Sequence, residues 1–395
     1  MRDAVIVSGA RTPVGNFGGA FKDFAASDLG ALAIREALNK ISLPPEDVDE
    51  VFFGNVLQAQ ESGYAPRLAA LRAGIPQEVP TIAINRQCSS GLESINIASQ
   101  LIMTGEIDVA VAGGTENMSQ SPFMIDIQAR FDGLRLGESN LRDSLVEGLS
   151  CPVNHYHMGV GAENISERYE ISRNDQDELA LLSHQRAVLA SDAGVFNDQL
   201  VQIDVPKKRG ESVLVDTDEG PRGDSSIDKL SKLRPVFKDG GTVTAGNSSS
   251  ISDGAAAVVI MSSDKASELG LTPKLRWRAR GISGVDPAFF GTGPVPAVRK
   301  VLEKSAMTLA DIDLIELNEA FAAQALQNIR ELGLDTDVTN VNGSGISLGH
   351  PIGATGAIMT VKIMNELERR DQEVGLVTMC VGGGMGVATV FERIG

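Results

Sequence analysis

One segment of this chain is written twice. Leu38, Lys40, Asp47, Val48, Asp49 and Val51 recur without a gap as Leu302, Lys304, Asp311, Ile312, Asp313 and Ile315, at a constant offset of 264 residues. The surroundings repeat as well. A stretch with apolar residues at helical spacing, 29–40 in the first copy and 297–304 in the second, leads through an acidic turn into a strand, VFFGNV or LIELNEAF. Further on, TIAIN running into RQCSSGL is echoed by VTNVN running into GSGISLGHPIGATG, and each copy closes on a small-residue strand, AAAVVI at 255–260 and GVATVF at 386–391. Strand, glycine turn, helix is the α/β pattern, and many of the 42 glycines stand at the ends of apolar runs such as VAVAGGTE and VTMCVGGGMG. The expectation is an α/β fold made by duplication of one unit. Residues 1–117 with 246–270 form the first half and 271–395 the second. Residues 118–245, where the pattern loosens into polar helices and charged loops, form an inserted domain expected to recognise the ligand.

The 395 residues, 42% hydrophobic and 22% charged, are enough for large cores and exclude disordered, collagenous and disulfide-scaffold classes. No apolar run approaches the roughly 18 residues of a membrane span. Neither a charged leader before MRDAVIVSGARTP nor a targeting tail at ERIG is evident, so a cytoplasmic location is expected. A formal charge of -17 opposes binding to nucleic acid or anionic lipid. One island, 207–238, carries eight basic against six acidic residues and is where a polyanionic ligand could sit. The acidic clusters at 47–50 and 216–219 read as solvated turns. Three cysteines in so long a chain indicate a reducing compartment, and each must be core filler, metal ligand or nucleophile.

Cys88 falls where the strand TIAIN ends and the helix SSGLESINIASQLIMTG begins. There free N–H groups and the helix dipole favour a thiolate and can hold an oxyanion. A buried structural cysteine is the ordinary alternative, but the strand-to-helix turn favours reactivity. His350, in GHPIGATG, occupies the corresponding turn of the second copy and could deprotonate a thiol; alone, it would be a hydrogen-bonded structural residue. Cys380 follows the strand VGLVTM, at the strand end where open α/β sheets place their sites; without the other two it would read as core. Other chemistries fail on context. VGGGMG precedes a strand rather than a helix, GSGISLG lacks a P-loop ending, and no C-x-x-C or H-E-x-x-H pair is present.

Eight motifs lie in order along nearly the whole chain: NRQCSSGLESI around Cys88, GGTENMSQSP at 113–122, HMGVGAEN at 157–164, TAGNSSSISDGAAA at 244–257, GTGPVPA at 291–297, NEAFA at 318–322, GHPIGATG at 349–356 and CVGGGMG at 380–386. Together they resemble the thiolase family. The resemblance implies a duplicated thiolase-like fold with an αβαβα layered core, and a reversible Claisen condensation of two acetyl-CoA to acetoacetyl-CoA and CoA. Cys88 would carry the acyl group, His350 would take its proton, and the N–H groups of Cys88 and Gly382 would hold the thioester oxyanion. Cys380 would be the acid/base at the α-carbon, with Asn318 holding a water beside the enolate. Contacts to CoA would come from His157, Met158, Arg222, Leu233, Phe237, Ser249, Ala320 and Phe321, although Phe237 and Phe321 could equally be core. No cofactor beyond the CoA thioester substrates and no metal would be needed. A homodimer or homotetramer is expected, with no nucleic-acid or membrane partner.

Two departures bear on substrate choice. NSSS stands where the family has NASG, placing Ser250 at a glycine position. Phe290 stands beside the acyl pocket where many acetoacetyl-CoA thiolases have Met. NRQCSSGL is similar to degradative 3-ketoacyl-CoA thiolases, whereas VDPAFFGTGPVPA and NEAFAAQA are similar to the biosynthetic acetoacetyl type, and 126–152 is longer than in compact biosynthetic members. A longer-chain 3-ketoacyl-CoA thiolase is therefore the alternative within the same chemistry. A decarboxylating ketoacyl synthase, a nucleotide-dependent oxidoreductase and a non-catalytic CoA carrier fit the three placed side chains less well.

Overall fold

The computed structural model describes residues 2–134, 140–207 and 210–395, so Lys208 and Arg209 of the basic island and part of 126–152 lie outside the described residues. In chain order the elements that build the site are β1 (Ala4–Arg11), α1 (Ala26–Asn39), β2 (Glu50–Gly54), α2 (Ala65–Ala73), β3 (Thr81–Ile84), α3 (Ser90–Thr104) and β4 (Val109–Asn117). After them come α4 (Met158–Arg168), α5 (Arg173–Asp192) and β5 (Ser252–Ser262). The second copy supplies β6 (Leu275–Gly284), α6 (Pro294–Ser305), β7 (Leu314–Leu317), α7 (Ala322–Leu332), α8 (Thr355–Arg370), β8 (Val374–Val381) and β9 (Met385–Arg393).

Hydrogen bonding orders the first copy's strands β3-β2-β4-β5-β1 and the second copy's β7-β8-β9-β6. The two orders match once a missing edge strand is added outside β7. Its place is taken by a single parallel bridge from Ile315 to Thr339. The strand expected at VTNVN is thus reduced to one bridge, and the reason is Asn340. Its φ of 52° ends the extended run, a conformation Asn tolerates better than most residues. Its side chain then replaces the ladder, Oδ1 accepting from Leu317 N and Nδ2 donating to Leu317 O, both at 2.8 Å.

The two sheets join edge to edge through the pairs Val5 with Arg276 and Ile6 with Leu275. Alternation along β1 then sorts the layers. Val5 and Val7 pack with Leu29, Ile34 and Leu38 of α1, whereas Ala4 and Ile6 pack with Leu92 and Ile95 of α3 and Ile358 and Val361 of α8. On the far side, Ala388 and Val390 of β9 pack with Val298 and Val301 of α6. The result is the expected αβαβα stack, with α3 and α8 as its middle layer. α8 and the turn before it approach α3 and β4 closely because glycines stand at the contacts. A β-carbon on Gly356 would lie 2.5 Å from Leu92 N, and one on Gly114 would lie 2.0 Å from Gly353 O. The close approach brings the turn before α3 and the turn before α8, one from each copy, to the same end of the stack.

The acidic clusters are exposed turns, with Asp47, Asp49, Asp216 and Glu219 open to solvent, but one carboxylate in each also holds the fold. Asp49 Oδ2 accepts from the N–H groups of Asp108 and Val109 at 2.8 and 2.9 Å, and Asp313 Oδ2 does the same for Glu373 and Val374 at 3.0 and 2.8 Å. The duplicated aspartate is a latch on unpaired N–H groups at the start of β4 and β8. In the other cluster, Asp218 forms a bidentate pair with Arg11 at 2.7 and 2.9 Å, both side chains fully buried. Among the described residues, no helix is long and apolar enough to cross a membrane.

Candidate active site

Cys88 sits between β3 and α3 in a turn opened by Gln87, whose φ of 45° lies in the left-handed region. Ser90 locks that turn: its Oγ accepts from Arg86 N at 2.9 Å and donates to Gln87 O at 2.6 Å. The N–H groups of Gly382 and of Cys88 itself both reach the sulfur, yet burial pushes the thiol up to about 11, with nearby Glu116 adding to the rise. The expected thiolate is therefore not the resting state. Two N–H donors and a helix N-terminus do not offset the loss of solvent around the sulfur. Cys380, at the end of β8, is fully buried; its thiol is held well above the usual range, chiefly by burial and further by the nearby Cys88. Gly382 stands two residues on, and a β-carbon there would lie 3.5 Å from Met158 Sδ.

His350 comes from the turn before α8. Its Nδ1 lies 2.6 Å from Thr355 Oγ1, and its Nε2 lies 3.4 Å from Asn318 Nδ2. Thr355 Oγ1 spends its one hydrogen on Pro351 O at 2.9 Å. It can therefore only accept from the ring, which assigns the proton to Nδ1 and the lone pair to Nε2. Burial lowers the imidazole to about 4, so it is neutral across physiological pH. Ile352, two residues on, packs in the same apolar cluster as Cys88, which puts His350 and Cys88 on one wall. Asn318 is fully buried after β7, and its Oδ1 has no partner. An orphaned buried acceptor at this point suits a water or a substrate group.

A second wall is aromatic. His157, at the start of α4, stacks on Phe237 with centroids 4.8 Å apart; Phe237 meets Phe321 edge-on at 6.0 Å, and Phe321 meets Phe290 edge-on at 6.3 Å. Phe290, Ala320, Phe321 and Cys380 share one buried cluster, with Met158 and Phe237 packed against it. Phe237 and Phe321 thus serve as packing residues and as the lining around Cys380. Arg222 and Leu233 lie apart from this cluster, on a groove of about 230 Å³ that also holds Lys229, Ser248 and Ser250. Ser249 ties the groove to the aromatic wall through its N–H to Ala320 O at 2.9 Å.

Three residues around the site escaped the sequence reading as functional positions. All three, Thr355, Glu116 and Ser252, lie inside motifs already quoted. Glu116 accepts from Asn55 Nδ2, Val56 N, Leu57 N and Gly353 N, and so joins the turn carrying His350 to the first copy.

A thiolase N-terminal domain model matches residues 4–264 and a thiolase C-terminal domain model matches residues 271–393. The chain belongs to the thiolase family. It is 50% identical to a beta-ketothiolase, BktB, of Cupriavidus necator over 395 residues, and 48% identical to a probable acetyl-CoA acyltransferase of Staphylococcus aureus over 394 residues, with 100% of both chains covered in each case. Its fold superimposes on a Bacillus anthracis acetyl-CoA acetyltransferase with a TM-score of 0.97, at 46% identity over 100% of this chain and 99% of that one. A human mitochondrial 3-ketoacyl-CoA thiolase in complex with CoA gives 0.95, at 42% identity over 100% and 98%. The resemblance carried by the eight motifs and the duplicated layered fold are thereby both established, and the thiolase is an acyltransferase.

Proposed function

We infer that the protein is an acetyl-CoA C-acetyltransferase, joining two acetyl-CoA into acetoacetyl-CoA and CoA and running the same steps backwards in thiolysis. The observation that carries the chemistry is the Gly382 N–H on the Cys88 sulfur, with a second thiol, Cys380, beside it. Neutral His350 takes the Cys88 proton on Nε2. The sulfur attacks the thioester carbonyl, and the N–H groups that reach the sulfur are in range of an oxygen borne next to it. Cys380, a neutral thiol at the start, gives its proton to the departing CoA thiolate and is left as the base. It then removes an α-proton from a second acetyl-CoA, whose enolate, beside His350 and Asn318, attacks the acyl group. Cys88 leaves as the thiolate and recovers its proton from His350. The charges balance at each step, and the proton each thiol loses is returned.

The groove with Arg222 and Lys229 supports CoA recognition, since two cations against one carboxylate, Asp224, leave a locally positive site on a protein of charge -17. His157, Met158, Phe237, Ser249, Ala320 and Phe321 would border the arm that runs from there to Cys380. Assignment of 118–245 as the inserted recognition domain rests on Met158, Arg222 and Phe237 all falling within it. A homo-oligomer is supported by β3, an uncovered sheet edge with Ile82 exposed, and by exposed Phe123, Ile125 and Leu141 on the short hairpin pairing 123–125 with 141–143. Three free cysteines support a cytoplasmic location. The decisive experiment is acetyl-CoA labelling read by peptide mass spectrometry. Acetyl is expected on Cys88 alone, and recovery on Cys380 or nowhere would reject the assignment. Thiolysis rates over 3-ketoacyl-CoAs of increasing length then separate the acetoacetyl reading from the longer-chain one.

A further inference from the structure

The groove holding Arg222 runs toward the catalytic base through a pair of serines. Ser250 lines the groove, and its Oγ lies 3.0 Å from Ser252 Oγ. Ser252 is buried. Its Oγ donates to Ser250 O at 2.9 Å and accepts from His350 N at 3.2 Å. Gly349, with φ of 103°, has no side chain because a β-carbon there would lie 2.5 Å from Ser252 Oγ. The base's turn therefore rests directly on Ser252.

Counting hydrogens fixes the direction of the chain. Ser252 commits its hydrogen to Ser250 O, so Ser250 supplies the one between the two hydroxyls. Ser250 is then left with unused lone pairs and no free hydrogen. A ligand group in the groove can give it a hydrogen bond, whereas a ligand acceptor would have to take the hydrogen away from Ser252. Along the groove, Arg222 and Lys229, with Asp224 paired to Lys229 at 2.7 Å, form a charged end of net positive sign suited to phosphates, while Ser248, Ser250 and Ile346 are uncharged. CoA presents donors along its pantetheine arm, as amide N–H groups and a hydroxyl, and on its adenine and ribose, which lie at the phosphate end.

We propose that Ser250 is a specificity-determining residue that accepts an amide N–H of the pantetheine arm, and that Ser252 passes this contact to the backbone of His350. The proposal rests on the reading that the groove takes CoA. In it Ser250 reads the substrate, and Ser252 is a positioning residue.

The test measures calorimetric Kd on the full-length protein for two probes, CoA and adenosine 3′,5′-bisphosphate, which lacks the arm. Ser250→Ala should weaken CoA by roughly threefold to tenfold, the range of one net hydrogen bond, and leave the bisphosphate unchanged. Ser250→Thr, which keeps the hydroxyl, should restore CoA binding. Ser252→Ala should lower kcat for thiolysis more than it raises KM, and adding Ser250→Ala to it should cost less than Ser250→Ala costs alone. Unchanged CoA affinity in Ser250→Ala, or an equal loss for both probes, overturns the role of Ser250. Additive effects overturn the link to His350. A wild-type protein that binds CoA but does not thiolyse would reject the proposed reaction while the CoA arm still judged Ser250. One that binds neither probe rejects both.

Discussion

Thr355→Val removes one oxygen and leaves the shape of the side chain. In the wild type, Thr355 Oγ1 accepts the His350 Nδ1 proton at 2.6 Å and donates to Pro351 O. The second bond is dispensable, because Pro351 O also accepts from Ala354 N at 2.8 Å and Thr355 N at 2.9 Å. The first is not, because a buried N–H without an acceptor costs about 1–3 kcal/mol. The ring can escape that cost by moving its proton to Nε2, where Asn318 can turn its unpartnered Oδ1 to receive it. The base's lone pair would then stand on the wrong nitrogen.

Returning the proton to Nδ1 for each turnover costs the same 1–3 kcal/mol, so acetylation of Cys88 should slow by about 5- to 150-fold. The assay is rapid-quench acetylation by acetyl-CoA, with KM for acetoacetyl-CoA followed in steady-state thiolysis. The rate of acetylation should fall while KM stays within about twofold, and Thr355→Ser should recover most of it. Wild-type acetylation in Thr355→Val would refute the tautomer assignment. So would a loss expressed entirely in KM.

Cys380→Ser should still acetylate Cys88 but lose condensation by roughly 10²- to 10⁴-fold, the span of general acid-base catalysis; near-normal condensation would return Cys380 to a packing role. Phe290, buried beside Cys380 and Phe321, is expected to shape the acyl site. Phe290→Met should therefore shift the ratio of kcat/KM for acetoacetyl-CoA against a longer or 2-methyl 3-ketoacyl-CoA by roughly tenfold or more, and an unchanged ratio with lowered stability would count against it. Asp218→Asn leaves Arg11 buried without its counter-charge and should cost about 3–5 kcal/mol in urea unfolding; a change below about 1 kcal/mol would mean the guanidinium finds water.

The duplication made much of the fold legible. A constant offset with matched strands and helices dictates two copies of one unit, and the glycine-ended strands place both catalytic turns at one end. The edge strand at 339 was not legible, because VTNVN has strand composition and nothing in the pattern shows that Asn340 turns left-handed and substitutes its amide for the ladder. The structural partners of the acidic clusters were hidden for a related reason. Composition marks Asp49, Asp313 and Asp218 as turn residues, but their partners are backbone N–H groups and an arginine 59 or more positions away in sequence, visible only after folding.

The misreading of Cys88 bears on mechanism. Proximity to a helix N-terminus is a local property that sequence reveals, whereas burial depends on how β3, β8 and the loops around Leu57 and Ile352 close over the turn. Here burial wins, and the thiol rests protonated near 11 beside a neutral imidazole near 4. A resting ion pair is thus disfavoured from both sides. In the proposed reaction, charge separation is drawn out by the substrate, whose carbonyl oxygen would take over the Gly382 and Cys88 N–H groups as the sulfur gives up its proton. The two adjacent thiols need not be charged together in that reaction. A charge on Cys88 disfavours ionisation of Cys380. Acylation removes that charge, because a thioester sulfur is neutral, and Cys380 can then give up its proton to the departing CoA thiolate and act as base.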